Sequence, residues 1–173
     1  TGILRALYDE RDRIAQRRST IDADMMPLLT VGTIQGGVNT NVVPDRVVLR
    51  IDRRLIPEET GEAVEAELFA LIESAITPRE GLEIECRRLL LAEPLRPVAG
   101  ADRLADVVQA EIRARFPQPQ PRITGSPLFS DARHYADAGI PTVLYGSGPD
   151  SLEAANAYAA DEHVQLSDLR AAT

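Results

Sequence analysis

The sequence of 173 residues contains no lysine. All nineteen cationic side chains are arginine, so a Schiff-base amine and the lysine of a Walker-type phosphate loop are both excluded. A single cysteine, Cys86, rules out an intrachain disulfide and a thiolate zinc cluster of the usual spacing. Two histidines, His134 and His163, are too few for most histidine-based metal sites. No apolar run nears the roughly 18 residues that span a bilayer, and no signal-peptide core opens the chain. Twenty-seven acidic residues outweigh the arginines and leave a formal charge of −8. A net anion is repelled by phosphate backbones and acidic lipid, so no nucleic acid and no membrane is expected as a partner. No nucleophile elbow accompanies a Ser, His and Asp in order, so serine-type hydrolysis has no support. These exclusions leave a soluble, cytoplasmic protein, long enough for one ordinary domain or two small ones.

What is present begins at once. Leu4, Leu7, Tyr8 and Ile14 recur at helical spacing, with Arg and Glu between them through Arg18. At the other end, the residues from Leu166 read as a helix start with Ser167 as N-cap. A chain that opens inside one helix and stops inside another reads as a piece of a longer protein.

Between these ends, Leu28 to Gln35 is rich in β-branched residues and predicts a strand. Gly36 to Asn41 is a turn, closed by Pro44 and Asp45. Arg46 to Leu55 alternates, with Val47, Leu49 and Ile51 on one face and Arg50, Asp52 and Arg54 on the other. The two strands suggest an antiparallel pair. Pro57 opens a helix with an apolar stripe of Val64, Leu68, Leu71, Ile72 and Ala75, ended by Pro78 and Gly81. Its early glutamates suit the helix dipole. Leu82, Ile84 and Cys86 then alternate with charged residues and predict a third strand, with Cys86 as a small core residue. Helix, strand, strand, helix, strand is the order of a ferredoxin-like split βαβ unit whose first strand is missing.

Glu93 to Pro97 is a Pro-punctuated boundary. Leu104, Val107, Val108, Ile112 and Phe116 predict a second amphipathic helix, followed by the stiff connector Pro117 to Pro121. A short strand at Arg122 to Gly125 follows. A helix from Asp131 to Ala138 is capped by Ser130 and closed by Gly139. A second short strand runs from Thr142 to Tyr145. This order belongs to an α/β layer with a parallel sheet. Taken singly, His134 reads as a solvated helix residue, His163 as part of an acidic surface loop, and Gly146 to Pro149 as a structural turn.

Two stretches in combination go further. Residues 30–59 read TVGTIQGGVNTNVVPDRVVLRIDRRLIPEE, and residues 125–149 and 156–169 read GSPLFSDARHYADAGIPTVLYGSGP and NAYAADEHVQLSDL. Together they resemble the zinc metallopeptidase family of aminoacylase, glutamate carboxypeptidase, acetylornithine deacetylase and succinyl-diaminopimelate desuccinylase. The resemblance implies an α/β fold in two parts. Residues 1–91 would be a ferredoxin-like lid and dimerisation domain, and residues 92–173 the C-terminal part of the catalytic domain. It implies a homodimer formed through the lid, a small N-acyl amino acid or peptide as substrate, and two zinc ions sharing a water in the parent protein. The N-terminal half, with most metal ligands and the general base, is absent from this sequence, so no catalytic residue is expected here and the chain alone is expected to be inactive.

The same resemblance implies roles for particular residues. Asn41 and Arg54, thirteen positions apart, match the family's lid pair that holds the substrate carboxylate. An arginine on a charged strand face can grip a carboxylate with two parallel hydrogen bonds; otherwise it is a solvated partner of Asp52. Arg133 and Gly148 are further substrate-contact candidates. Tyr158 stands where the family has a zinc-ligating His, and a phenol is protonated at neutral pH and a poor substitute. That departure leaves open a second reading, a non-catalytic dimerisation or binding module of the same descent. A third, an unrelated acidic α/β protein, would need several ordered motifs to match by chance.

Overall fold

A computed structural model describes residues 2–76, 81–115, 121–125, 129–147, 154–157 and 159–172. The chain is mixed α/β. The first half packs two helices against an antiparallel hairpin. Helix α1 spans Gly2–Ile14, strand β1 Leu28–Gly36, strand β2 Val47–Arg54 and helix α2 Gly61–Ser74. Strands β1 and β2 pair from Leu28 opposite Arg54 to Gly36 opposite Val47. Gly32 is the extra residue of a bulge between Val31 and Thr33.

The alternation expected of β2 holds at its centre but not at its start, where Val47 is exposed. Leu49 and Ile51 face the core while Arg50 and Asp52 are exposed. Leu7 and Ile14 of α1, Leu29 of β1 and Ile72 of α2 form the buried cluster, with Ile3, Val31, Leu68 and Cys86 packed around it. The buried stripe of α1 therefore runs through Ile3, Leu7 and Ile14, and Tyr8 stays outside with the Arg11 guanidinium stacked 4.9 Å from its ring centroid.

Two helix starts differ from the sequence expectation. Helix α2 begins at Gly61 and not at Pro57, because the Glu58 and Glu59 carboxylates are tied to other segments and hold Pro57–Glu58 as a turn. Helix α5, Leu166–Ala172, begins two residues before the start that Ser167 as N-cap would give, and Ser167 lies within its first turn. There the Gln165 carbonyl accepts from the Asp168 and Leu169 amides.

The third strand is a correction. Residues 82–88 carry an alternating pattern but are not in a strand, and the sheet among the described residues has two strands. An extended segment becomes a strand only by hydrogen bonding to a neighbour, and the main chain of 82–88 has no such bond among the described residues. The same applies to 122–125 and 142–145, which have no sheet partners among the described residues.

The second half holds helix α3, Ala101–Arg115, helix α4, Ala132–Asp137, and α5. The buried stripe of α3 passes through Ala101 and Ala105, whereas Val107 is exposed, against the expected apolar face. Helix α4 matches its sequence signals closely. Ser130 Oγ accepts from the Ala132 amide at 3.2 Å. At the other end, the Ile140 amide donates to the Tyr135 carbonyl and the Gly139 amide to Ala136, with Gly139 at φ 76°, which is a Schellman closure. Helices α3, α4 and α5 pack closely on no other helix or strand among the described residues. No helix of the described residues is long and apolar enough to cross a membrane.

Candidate functional site

A cleft of about 770 Å³ runs beside β2. Its walls are β2 and residues 83–95, and Val64, Leu68 and Ile72 of α2 form its floor. Phe129, Ser130 and Arg133 reach it from the second half of the chain. The two halves are held together around this space by polar contacts. The Gly61 amide donates to Glu93 Oε1 at 2.9 Å, Arg96 donates to the Pro57 and Glu59 carbonyls, and the Gly125 amide donates to Asp22 Oδ2. Those contacts, led by the Arg96 bond to Glu93 and the Asp24 amide bond to Asp22, hold both carboxyls below their ordinary range.

Arg54 ends β2 at the cleft wall. Its Nε donates to Asp52 Oδ1 at 2.7 Å on the same strand face. Its two Nη groups make no other hydrogen bond among the described residues. The guanidinium is thus oriented by Asp52 while its fork stays open, a geometry suited to a carboxylate. Arg133 is more enclosed. Its guanidinium lies 4.0 Å from the Phe129 ring centroid and donates to the Ser130 carbonyl at 3.1 Å. The structure brings Arg54 and Arg133 to one cleft.

Asn41 is not brought there. It sits in the exposed loop between β1 and β2, beyond the Gly36–Val47 end of the hairpin, while Arg54 is at the other end. The seven steps from Val47 to Arg54 along a strand span about 23 Å. The two residues therefore lie toward opposite ends of the hairpin. Gly148 and Tyr158 lie outside the described residues.

Nor do the described residues fit a zinc centre. Among them, no group of three or more His, Cys, Asp or Glu side chains could hold a metal ion. His134 is exposed on α4, and His163 Nδ1 lies 2.9 Å from the Asp161 carbonyl within its own loop.

A polar anchor at the foot of β2 was not foreseen in the sequence. Glu59 is buried and its Oε1 accepts from Arg17 at 2.9 Å and Arg53 at 2.6 Å. Beside it, Glu58 accepts from the Thr20 hydroxyl and amide at 2.6 Å each and from Ser19 at 3.0 Å. These bonds, the Thr20 hydroxyl foremost, push the Glu58 carboxyl down to about 2 from 4.5. The paired glutamates after a proline were the available signal, and they resemble a helix first turn too closely to be told apart.

Comparison with known proteins fits this architecture. Residues 2–80 match the family described as Peptidase dimerisation domain. The first half of the chain is thus similar to a peptidase dimerisation domain, in keeping with the metallopeptidase resemblance read from the motifs. In two strains of Mycobacterium tuberculosis, a protein provisionally named succinyl-diaminopimelate desuccinylase DapE is 25% identical over 168 residues. That match covers 93% of this chain and 41% of the relative's length.

Proposed function

We propose that this chain forms the lid and the closing C-terminal portion of a zinc-dependent hydrolase that cleaves the amide bond of N-acyl amino acids or small peptides. In this reading, residues 1–91 are a ferredoxin-like lid that pairs with a second copy, and residues 92–173 complete the catalytic domain. The parent is a soluble cytoplasmic homodimer. Metal ligands and general base come from polypeptide beyond these 173 residues.

The observation that carries the reading is the open fork of Arg54 at the cleft wall, held by Asp52 and sharing the cleft with Arg133. The fork receives the free carboxylate of the amino acid and fixes the scissile amide relative to it. Arg133, braced on Phe129, supplies a second positive charge, and Gly148 lies in a loop close to the substrate. Because Asn41 lies at the far end of the hairpin, it joins Arg54 on one carboxylate only from the second copy. The alternative, a non-catalytic dimerisation module, is favoured by one specific observation: Tyr158 stands where a His ligand is expected.

The deciding experiment uses the parent polypeptide loaded with zinc. Two tightly bound zinc ions and release of free amino acid from N-acyl substrates support the hydrolase. A folded, dimeric parent that retains no zinc and cleaves no N-acyl amino acid overturns it in favour of the module.

A further inference from the structure

The connector between α1 and β1 is tied to itself. The Ser19 amide donates to the Met25 carbonyl and the Met25 amide to the Asp22 carbonyl, both at 3.0 Å. Ser19 Oγ accepts from the Ile21 amide, and Ser19 and Met25 are buried. A short loop closed by its own bonds and side chains moves as one piece. One end of this piece is fixed to the turn before α2, where Glu58 accepts from Ser19 and twice from Thr20.

Asp22 is its other end. The Asp24 amide donates to Asp22 Oδ1 at 3.0 Å and orients the carboxylate within its own turn. Asp22 Oδ2 then accepts the Gly125 amide, 103 residues along the chain, at 2.9 Å. An amide bonded to an ionised acceptor is held about twice as strongly as one bonded to a neutral group. Met25 closes on the same residue. A Cβ added at Gly125 would lie 3.1 Å from Met25 Cβ and Cγ, with the sulfur closer still, so only glycine lets the main chain lie against Met25. Residues 122–125 have no sheet partner among the described residues, so no ladder fixes their position and this two-sided grip does.

Gly125 leads toward the cleft. Phe129, four residues on and at a reach of at most about 14 Å, lines the wall. Phe129 braces the Arg133 guanidinium, and Met25 lines the same space. Arg54 enters it from β2.

We propose that Asp22 is a positioning residue. A brace runs from Glu58 through residues 19–25 to Gly125 and fixes α4, with Arg133, relative to β2 and Arg54. The spacing of the two guanidinium groups is thus set by a rigid loop and not by a shared sheet. The use of that spacing for a substrate carboxylate rests on the hydrolase reading; the brace itself does not.

The experiment uses the whole chain in a Cys86→Ser background, with spin labels at Gln35→Cys on β1 and His134→Cys on α4, both exposed positions. Dipolar spectroscopy is expected to give one narrow distance. Asp22→Ala releases the grip from one side, and Gly125→Ala releases it from the other by driving a methyl group into Met25. Each should replace the narrow distance with a broad distribution while circular dichroism keeps the helix signal. Glu58→Ala touches neither Gly125 nor α4 and should broaden the distance as well, because the brace has lost its fixed end. Asp24→Ala removes the same charge as Asp22→Ala, from an exposed side chain, and should leave the distance narrow. An unchanged distance in Asp22→Ala and Gly125→Ala overturns the proposal. So does an unchanged distance in Glu58→Ala, or broadening in Asp24→Ala equal to that in Asp22→Ala.

Discussion

Arg53 Nη2 donates to Glu59 Oε1 at 2.6 Å, and the two side chains are only 10% and 8% exposed. The pair ties the end of β2 to the start of α2, and Arg17 brings the end of α1 to the same oxygen. Truncating one member of such a pair leaves its partner buried and uncompensated, at a cost of about 3 kcal/mol or more. Glu59→Ala is therefore expected to lower stability by about that amount in chemical denaturation. A loss below about 0.5 kcal/mol, the size of an ordinary surface change, would refute the anchor.

The neighbouring carboxylate makes a prediction in acid. Glu58 titrates at about 2 in the folded chain and near 4.5 when released. A depressed carboxylate contributes stability that is fully present above the unfolded value and is lost as pH falls through the folded one. The stability difference between wild type and Glu58→Gln should hold steady above pH 4.5 and shrink toward pH 2. A carboxyl resonance of Glu58 with its midpoint near 4.5 would contradict the Thr20 and Ser19 bonds.

Cys86 should label slowly. It is half-buried against the core cluster, and burial pushes its thiol above the ordinary range, with Glu73 adding to the shift. Less thiolate and less access both slow disulfide exchange. Reaction with an aromatic disulfide at pH 8 is expected to run about tenfold slower than in the unfolded chain. Equal rates would mean that the 82–88 segment does not stay on α2.

Arg54 can be tested in the parent by its effect on substrate. Arg54→Ala is expected to raise KM for N-acyl amino acids by about tenfold or more, with Arg54→Lys recovering little of the loss, because a point charge lacks the two-pronged grip. Substrates with an esterified carboxylate should be insensitive to the change. Mixing the Asn41→Ala and Arg54→Ala proteins should restore activity, since each mixed dimer would hold one intact pair. No recovery after verified subunit exchange would place both residues in the same chain's site.

The hairpin, the alternation at the centre of β2 and the closure of α4 were legible in the sequence, because each rests on local chemistry. Leu49 and Ile51 alternate with Arg50 and Asp52, and Gly139 permits the left-handed turn that ends α4. The third strand was legible only as a pattern. Leu82, Ile84 and Cys86 alternate correctly, yet a strand is a relation between two chains, and the second is not among the described residues. The start of α2 was misread for a related reason. Glu58 and Glu59 look like a favourable first turn until the distant Thr20, Arg17 and Arg53 claim them. Asn41 and Arg54 are close in sequence, but a straight strand between them carries them apart.

Among the described residues, the helices of the second half have no sheet beneath them. Tyr135, Ile140, Leu144 and Tyr145 leave about half of their surface to water, whereas Leu7 and Ile14 are almost wholly enclosed. Heat will therefore not dissolve this molecule in a single step. The region around α3 to α5 should loosen first and offer proteases their earliest cuts, while the hairpin and its two helices persist to a higher temperature.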